Sequence, residues 1–342
     1  MKTEVFDYHL PDELIAQEPS EVRDMSRLLV AERATGTISH HVFKDLPGLL
    51  REGECLVVNS SRVFPGRING RKEGSGGKVE ILLLERLGTG LWRALAGRAA
   101  LRPGVRLEFG DDLKGEVVEG PLAGKVVIRF DSSTGESDID RLIFRTGEVP
   151  LPPYIKKELD DPERYQTVYG EREISAAAPT AGLHFTAGLM EEIRSKGINI
   201  ERLELAVGLD TFLPVREKRI EDHRIHSEWF SIGAECAHGV NQARERGSHV
   251  VAVGTTAVRA LESASDAGGR LAARSGYTDL FVSPGFEFKA VDALVTNFHF
   301  PRSTPLVLVC AFGGTDFILE AYREAVREWY RFYSFGDAML VI

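Results

Sequence analysis

A chain of 342 residues, 43% apolar and 27% charged, is long enough for about two domains with real cores and excludes wholesale disorder. Its net charge of −9 argues against a uniformly basic nucleic-acid binder. The three cysteines, Cys55, Cys236 and Cys310, lie far apart and form no CxxC pair, so neither a disulfide framework nor a zinc ribbon is expected.

In chain order, the first residues carry no basic stretch followed by an apolar run, and no secretory signal is read there. Gly53-Glu-Cys-Leu-Val-Val-Asn59 predicts an apolar strand ending in a polar residue. The segment 63–150 then changes character. It holds 15 of the 34 glycines, and its apolar runs are short and alternating, as in Lys78-Val-Glu-Ile-Leu-Leu-Leu84 and Lys125-Val-Val-Ile-Arg-Phe130. Glycine turns at such intervals predict antiparallel strands closing into a small barrel or sandwich, almost without helix.

Charge reverses locally in the same region. Between Arg62 and Arg106 ten basic residues, including Arg62, Arg67, Arg71, Lys72 and Arg98, face three acidic ones, a net of +7. That stripe is read either as a face for a phosphate backbone or as an ordinary solvated surface; the count alone favours neither.

Downstream the pattern alternates. Thr186 is expected to cap a helix carrying Leu189, Met190 and Ile193 that Gly197 ends, followed by a strand over 198–205 whose alternation slips at Glu201-Arg202. A helix over 234–246, a buried strand at Val250-Val-Ala-Val253 and a helix over 256–264 follow. Ile318, Tyr322, Ala325 and Trp329 are spaced to stripe one helix face. Alternating strands and helices predict a three-layer α/β domain with a largely parallel sheet, formed by 1–62 and 151–342, into which 63–150 is inserted as a small antiparallel β-barrel domain. The longest apolar run, 306–312, is too short to span a bilayer, and a soluble, cytoplasmic monomer with no membrane association is expected.

Four strand-like runs each deliver a polar or glycine-bearing motif at their carboxyl end. These are Asn59-Ser-Ser-Arg62, Gly208-Leu-Asp-Thr211, Gly254-Thr-Thr256 and Thr296-Asn-Phe-His299. Ligands in open α/β sheets bind at that edge. Gly254, Thr255 and Thr256 at a helix start suit a carboxylate or phosphate, with Arg259 one turn inside; a plain N-cap explains the threonines equally well. A further stretch, Ser175-Ala-Ala-Ala-Pro-Thr-Ala-Gly-Leu-His-Phe-Thr186, reads as a tight turn with Thr180, Gly182 and the imidazole of His184 around it. His184 and His299 are the acid–base candidates. Phe185, Phe212, Phe298 and Phe300 either seal the sheet edge or stack on a base or cation. His223-Arg-Ile-His226 lacks a matching third and fourth ligand, and no metal is expected. The pattern G-x-x-x-x-G-K-[S/T] and a strand-linked G-x-G-x-x-G are both absent from the sequence.

Over nearly its whole length the sequence resembles the S-adenosylmethionine:tRNA ribosyltransferase-isomerase family of the queuosine pathway. The resemblance is carried by Leu14-Ile-Ala-Gln-Glu-Pro19, Arg23-Asp-Met-Ser-Arg-Leu28, Pro150-Leu-Pro-Pro-Tyr-Ile155, Glu163-Arg-Tyr-Gln-Thr-Val-Tyr169, Ala177-Ala-Pro-Thr-Ala-Gly-Leu-His-Phe-Thr186, Val253-Gly-Thr-Thr256, Thr296-Asn-Phe-His299 and Ser334-Phe-Gly-Asp-Ala-Met339. Departures stand at Asn59-Ser-Ser-Arg62, where the family usually has Asn-Asn-Thr-Arg, and at Phe300-Pro-Arg-Ser303, where it tends to have Leu-Pro-Lys-Ser. Ala206 and Leu213 replace a histidine and an arginine, and Asp210 a glycine.

The resemblance implies transfer and isomerisation of the ribosyl part of S-adenosylmethionine onto 7-aminomethyl-7-deazaguanine in tRNA. Epoxyqueuosine-tRNA, adenine and methionine are then the products, with no resident cofactor or metal. Matched to that chemistry, His184 and His299 are expected to share the proton transfers. Thr180, Gly182 and Asn297 would position the nucleoside, Gly254, Thr255, Thr256 and Arg259 would take the methionyl carboxylate, Phe185 would face the sulfonium, and Gly208 is a further expected substrate contact. Arg62, Arg67, Arg71 and Lys72 would hold tRNA. The rival readings are a tRNA-binding module without catalysis and an unrelated nucleoside-dependent transferase.

Overall fold

The computed structural model describes residues 1–97, 101–122, 124–135, 137–208 and 214–342. Arg98, Asp210, Thr211, Phe212 and Leu213, singled out above, lie outside the described residues. The chain divides into two compact units, one of Met1–Arg62, Pro153–Arg172 and Ala178–Ile342, the other of Val63–Pro152 and Glu173–Ala177.

The larger unit is built on a nine-stranded sheet. Its spatial order is Arg274–Thr278, Glu228–Ile232, Asn199–Leu205, Cys55–Asn59, Val250–Val253, Ala293–Asn297, Ala338–Val341, Arg27–Glu32 and Thr37–Val42. The four strands from Asn199–Leu205 to Ala293–Asn297 run parallel, so their carboxyl ends share one edge. The flanks are different. Glu228–Ile232 runs antiparallel to Asn199–Leu205, and Ala338–Val341 runs antiparallel to Ala293–Asn297. The sheet is therefore mixed, a parallel centre with antiparallel margins, rather than largely parallel as the helix–strand alternation suggested. At one margin Glu228–Ile232 pairs antiparallel with both Asn199–Leu205 and Arg274–Thr278, and at the other Arg27–Glu32 pairs antiparallel with Thr37–Val42, pairings that helix–strand alternation does not reveal.

Both faces of the parallel centre are covered, which explains its unbroken apolar runs. Leu56, Val58, Val251, Val253, Ala293 and Val295 pack on one side with Phe185, Leu189, Met190 and Ile193 of and before helix Ala187–Ser195. Successive side chains on a strand point to opposite faces, so Cys55 and Val57 meet the other helical layer, where Cys236 of helix Ala234–Glu245 lies beside Cys55. The expected caps are present. Thr186 Oγ1 accepts from Leu189 N at 3.1 Å, and the helix ends before Gly197. One element falls short of the expected stripe: helix Thr315–Arg327 ends before Trp329, which is 69% exposed.

The smaller unit is a closed antiparallel barrel of six strands in the order Lys125–Ser132, Leu91–Ala96, Lys78–Gly88, Arg67–Lys72, Arg106–Phe109 and Leu113–Leu122. Its interior takes every second residue of these strands, as with Val79, Ile81 and Leu83. Unlike the near-helix-free segment the sequence suggested, the unit also holds helix Ile139–Thr146, capped by Asp138, whose side chain accepts from Arg141 N. Phe144 of that helix stacks on Phe64, and both lie against Trp92.

Candidate active site

Chain geometry dictates where the polar motifs converge. A parallel strand that ends in a polar residue and turns into a helix leaves side chains and free backbone N–H groups at one edge of the sheet. A cavity of about 620 Å³ opens there. Thr180, Gly254, Thr255, Thr256, Asn297 and His299 line it, so six of the expected residues, drawn from three loops, meet in one hollow. The wall also includes Tyr154, Phe300, Ser303, Tyr333 and Ser334.

Gly254 stands between Val250–Val253 and helix Thr255–Ala264 at φ 87°, a left-handed backbone that a glycine adopts without strain. Its N–H is taken by Val295 O at 2.7 Å, leaving the first turn of the helix to present its amides to the cavity. The N-cap position of this helix is Gly254 itself, so neither threonine caps it by its side chain.

Asn297, buried at the end of strand Ala293–Asn297, is fixed on three sides. Its Nδ2 donates to Tyr333 O at 3.1 Å and to His184 Nε2 at 3.1 Å, and its Oδ1 accepts from Thr180 Oγ1 at 3.1 Å. The carbonyl of Tyr333 demands a donor, which orients the amide. Nε2 of His184 is then an acceptor, so the ring proton sits on Nδ1 and donates to Ser26 Oγ at 2.7 Å. Ser26 passes its own proton to Arg23 O at 3.2 Å. Burial, followed by Arg331 and Arg23 nearby, holds His184 down to about 3, in the neutral state this network needs.

His184 accordingly does not line the cavity. It stands behind Asn297 with both ring nitrogens committed, which corrects the expectation that it shares the proton transfers. His299 differs. Its Nε2 meets Thr296 Oγ1 at 2.8 Å, and no described residue hydrogen-bonds its Nδ1. His299 lines the cavity, and burial holds its imidazole down to about 3, so it too is neutral.

Four other expectations are corrected. Phe185 is fully buried in the core against Phe43 and cannot face a ligand. Gly182 serves packing: a Cβ there would stand 2.0 Å from Tyr169 Oη, so the glycine admits Tyr169 rather than substrate. Gly208 lies outside the lining, its N–H bound to Glu228 Oε1 at 2.8 Å. Arg259, 6% exposed, is committed to Glu228, to Leu280 O at 3.0 Å and to Thr278 O at 3.2 Å. It braces the helix base instead of reaching an anion. Phe298 is likewise fully buried, whereas Phe300 stands in the cavity wall.

Sequence reasoning passed over Tyr154, Tyr333 and Ser334. Tyr333 stacks on Phe300 and packs near Tyr154, whose hydroxyl bonds Ser334 Oγ at 2.6 Å. Burial pushes both phenols above their ordinary range, which keeps them protonated. Tyr333 sits at φ 73°, a costly backbone for a bulky residue. The Ser334-Phe-Gly-Asp-Ala-Met339 motif was visible, but nothing in it told that the preceding tyrosine would turn inward.

Of the expected tRNA contacts, Arg62 pairs with Glu163, and Arg67 donates to Leu151 O at 3.4 Å. Arg67 and the exposed Arg71 share one face of strand Arg67–Lys72, while Lys72 points to the other. Arg86 and Arg93 in the same stripe are paired with Asp140 and Glu85. His223 bonds Glu217 at 2.9 Å.

Comparison with known proteins gives the family. Residues 3–341 match the family described as "Queuosine biosynthesis protein". The chain is 51% identical to the S-adenosylmethionine:tRNA ribosyltransferase-isomerase of Symbiobacterium thermophilum, with both chains covered in full. It is 49% identical to that of Acetivibrio thermocellus, again over the whole of both. Among solved structures it is similar to the S-adenosylmethionine tRNA ribosyltransferase of Thermotoga maritima, at 40% identity and a TM-score of 0.58, over 99% of this chain and 100% of the other. The chain belongs to the queuosine biosynthesis protein family.

Proposed function

We propose that this chain is a transferase-isomerase that moves the ribosyl part of S-adenosylmethionine onto 7-aminomethyl-7-deazaguanine in tRNA, giving epoxyqueuosine-tRNA with release of adenine and methionine. The observation that carries this reading is a nucleoside-sized cavity at the carboxyl ends of parallel strands, lined by Thr255, Thr256, Asn297 and His299, in a chain half identical to enzymes of that name over their full length.

The chemistry asks for particular groups. A sulfonium acidifies the neighbouring ribose 5′ carbon, so a neutral base must stand beside it, and adenine must leave with a proton. His299 is the base in this reading, since it is neutral, lines the cavity and has a ring nitrogen that no described residue occupies. Thr180 and Asn297 hold the nucleoside, and the helix start at Gly254, Thr255 and Thr256 takes the methionyl carboxylate. The aromatic wall of Tyr154, Phe300 and Tyr333 faces the sulfonium, a cation that ring faces attract. His184 is a positioning residue acting through Asn297.

S-adenosylmethionine is consumed rather than retained, and the chain is read as a cytoplasmic monomer working without a metal or resident cofactor. Residues 63–150 form an inserted barrel domain in this reading, and Arg62, Arg67, Arg71 and Lys72 meet tRNA phosphates. The exposure of Arg71 on the strand face it shares with Arg67 supports that surface.

Adenine release from S-adenosylmethionine in the presence of tRNA carrying the deazaguanine base tests the function. Turnover whose KM for tRNA climbs steeply with salt is expected. Binding of tRNA without adenine release marks a non-catalytic module, and neither binding nor release marks an unrelated transferase.

A further inference from the structure

Beside the cavity lies a second, smaller hollow of about 260 Å³, lined by Ser20, Arg23, Arg164, His184, Ser334 and neighbouring residues. It is not part of the nucleoside site, yet it touches it twice. Ser334 lines both hollows, and His184 in its wall is hydrogen-bonded to Asn297 in the wall of the other.

Its chemistry is that of two aimed cations. Arg23 donates to Leu183 O at 3.0 Å and Glu163 O at 2.8 Å; Arg164 donates to Glu21 O at 3.3 Å and to Ser20 O. These carbonyls fix each guanidinium in place but cancel no charge, and each fork keeps donors to spare. Among the described residues no carboxylate oxygen lies within 4.0 Å of either, whereas most other arginines near acids form such pairs. Burial, and next the charge of Arg164, hold Arg23 below the ordinary arginine range, with Asp161 and Glu163 acting more weakly the other way. Nε of Arg164 is buried with no hydrogen-bond partner among the described residues. Two guanidiniums held side by side, one with a stranded N–H, form half of an ionic contact. An oxyanion would relieve that repulsion through the donors each fork keeps to spare.

We propose that this hollow is an oxyanion subsite of the substrate complex, in which Arg23 and Arg164 bind a phosphodiester of the tRNA. The inference rests on the function proposed above for the neighbouring cavity. Arginine suits that ligand, because its planar fork matches the oxygens of a phosphate.

The test uses the full-length chain as Arg23→Gln/Arg164→Gln, with Arg23→Lys/Arg164→Lys as the charge-keeping control. The expected result is a rise of tenfold or more in the KM for tRNA, with kcat within about threefold, and a smaller rise in the lysine form. A raised KM for tRNA with a salt slope reduced by about 1 per lost phosphate contact identifies the phosphodiester. A raised KM for S-adenosylmethionine with that for tRNA unchanged overturns the proposal. Unchanged KM for both in a glutamine variant that melts like the parent overturns the proposal, as does a fall in kcat alone. Should the parent release no adenine, the proposed function fails separately, and inorganic phosphate then serves as probe. A phosphate-dependent rise in Tm that the glutamine variant loses upholds the subsite, and an equal response in both overturns it.

Discussion

The loops that carry His184 and His299 share one recipe: a threonine, small or amide neighbours, an imidazole and a phenylalanine. They reach opposite ends. In residues 178–186 the chain turns inward, and the imidazole donates to Ser26 and accepts from Asn297, which spends both nitrogens on structure. In residues 296–300 the imidazole spends one nitrogen on Thr296, and His299 lines the cavity. The two phenylalanines beside them separate in the same way, Phe185 into the core and Phe300 into the cavity wall. A motif's composition therefore says that a polar network forms. At His184 both nitrogens are claimed by partners more than a hundred residues away, Ser26 and Asn297, whereas the one partner at His299 is three residues away.

Adenine release measured for two single variants exposes this difference most strongly. His299→Gln keeps a polar side chain but removes the imidazole, and kcat is expected to fall by about 10²–10⁴-fold, the usual worth of a positioned base. His184→Gln is expected to cost about tenfold or less, because a glutamine carbonyl can still accept from Asn297. Equal losses in the two variants would return His184 to the chemistry.

Gly182 offers a smaller effect that bears on why the first loop turns inward. Its absent Cβ leaves room for Tyr169 Oη, while the methyl of Thr167 would lie 2.8 Å from that Cβ. Gly182→Ala is expected to destabilise the protein by about 2–3 kcal/mol through overpacking, read from urea unfolding. Adding Tyr169→Phe removes the colliding hydroxyl and is expected to restore about half. If Gly182 instead admits substrate, the alanine raises the KM for S-adenosylmethionine at unchanged stability.

How much of this was legible in the sequence follows from the range of the forces involved. The barrel was visible because period-two alternation and glycine turns are local, and so was the helix start at Gly254-Thr255-Thr256. The meeting of Gly254, Thr255 and Thr256 with Asn297 and His299 was inferred from strand ends, which works because parallel strands share an edge. Arg259 was misjudged since its fate is set by Glu228, a carboxylate on another strand that no spacing rule connects to it. Tyr333 escaped notice because its inward turn rests on a left-handed backbone at a bulky residue, against its own preference. The paired cations at Arg23 and Arg164 lie far apart in the chain, and only folding brings them together.

Stability against acid gives the gentlest separation of the two loops from ordinary surface histidines. Both His184 and His299 are held down to about 3, below the value near 6.5 expected for the unfolded chain. Above pH 6.5 neither state takes a proton, so neither residue makes stability depend on pH. Between about 6.5 and 3 the unfolded chain takes up protons that the folded one refuses. Stability must then fall as pH falls, by at most about 1.4 kcal/mol per pH unit for each histidine. Replacing either by glutamine removes one such proton, so the slope of unfolding free energy between pH 6.5 and 5 is expected to flatten by that amount relative to the parent. A parent and variants with superimposable slopes would mean that at least one imidazole is charged in the folded state. Asn297 Nδ2 would then face a donor at His184, or the sulfonium a cation at His299.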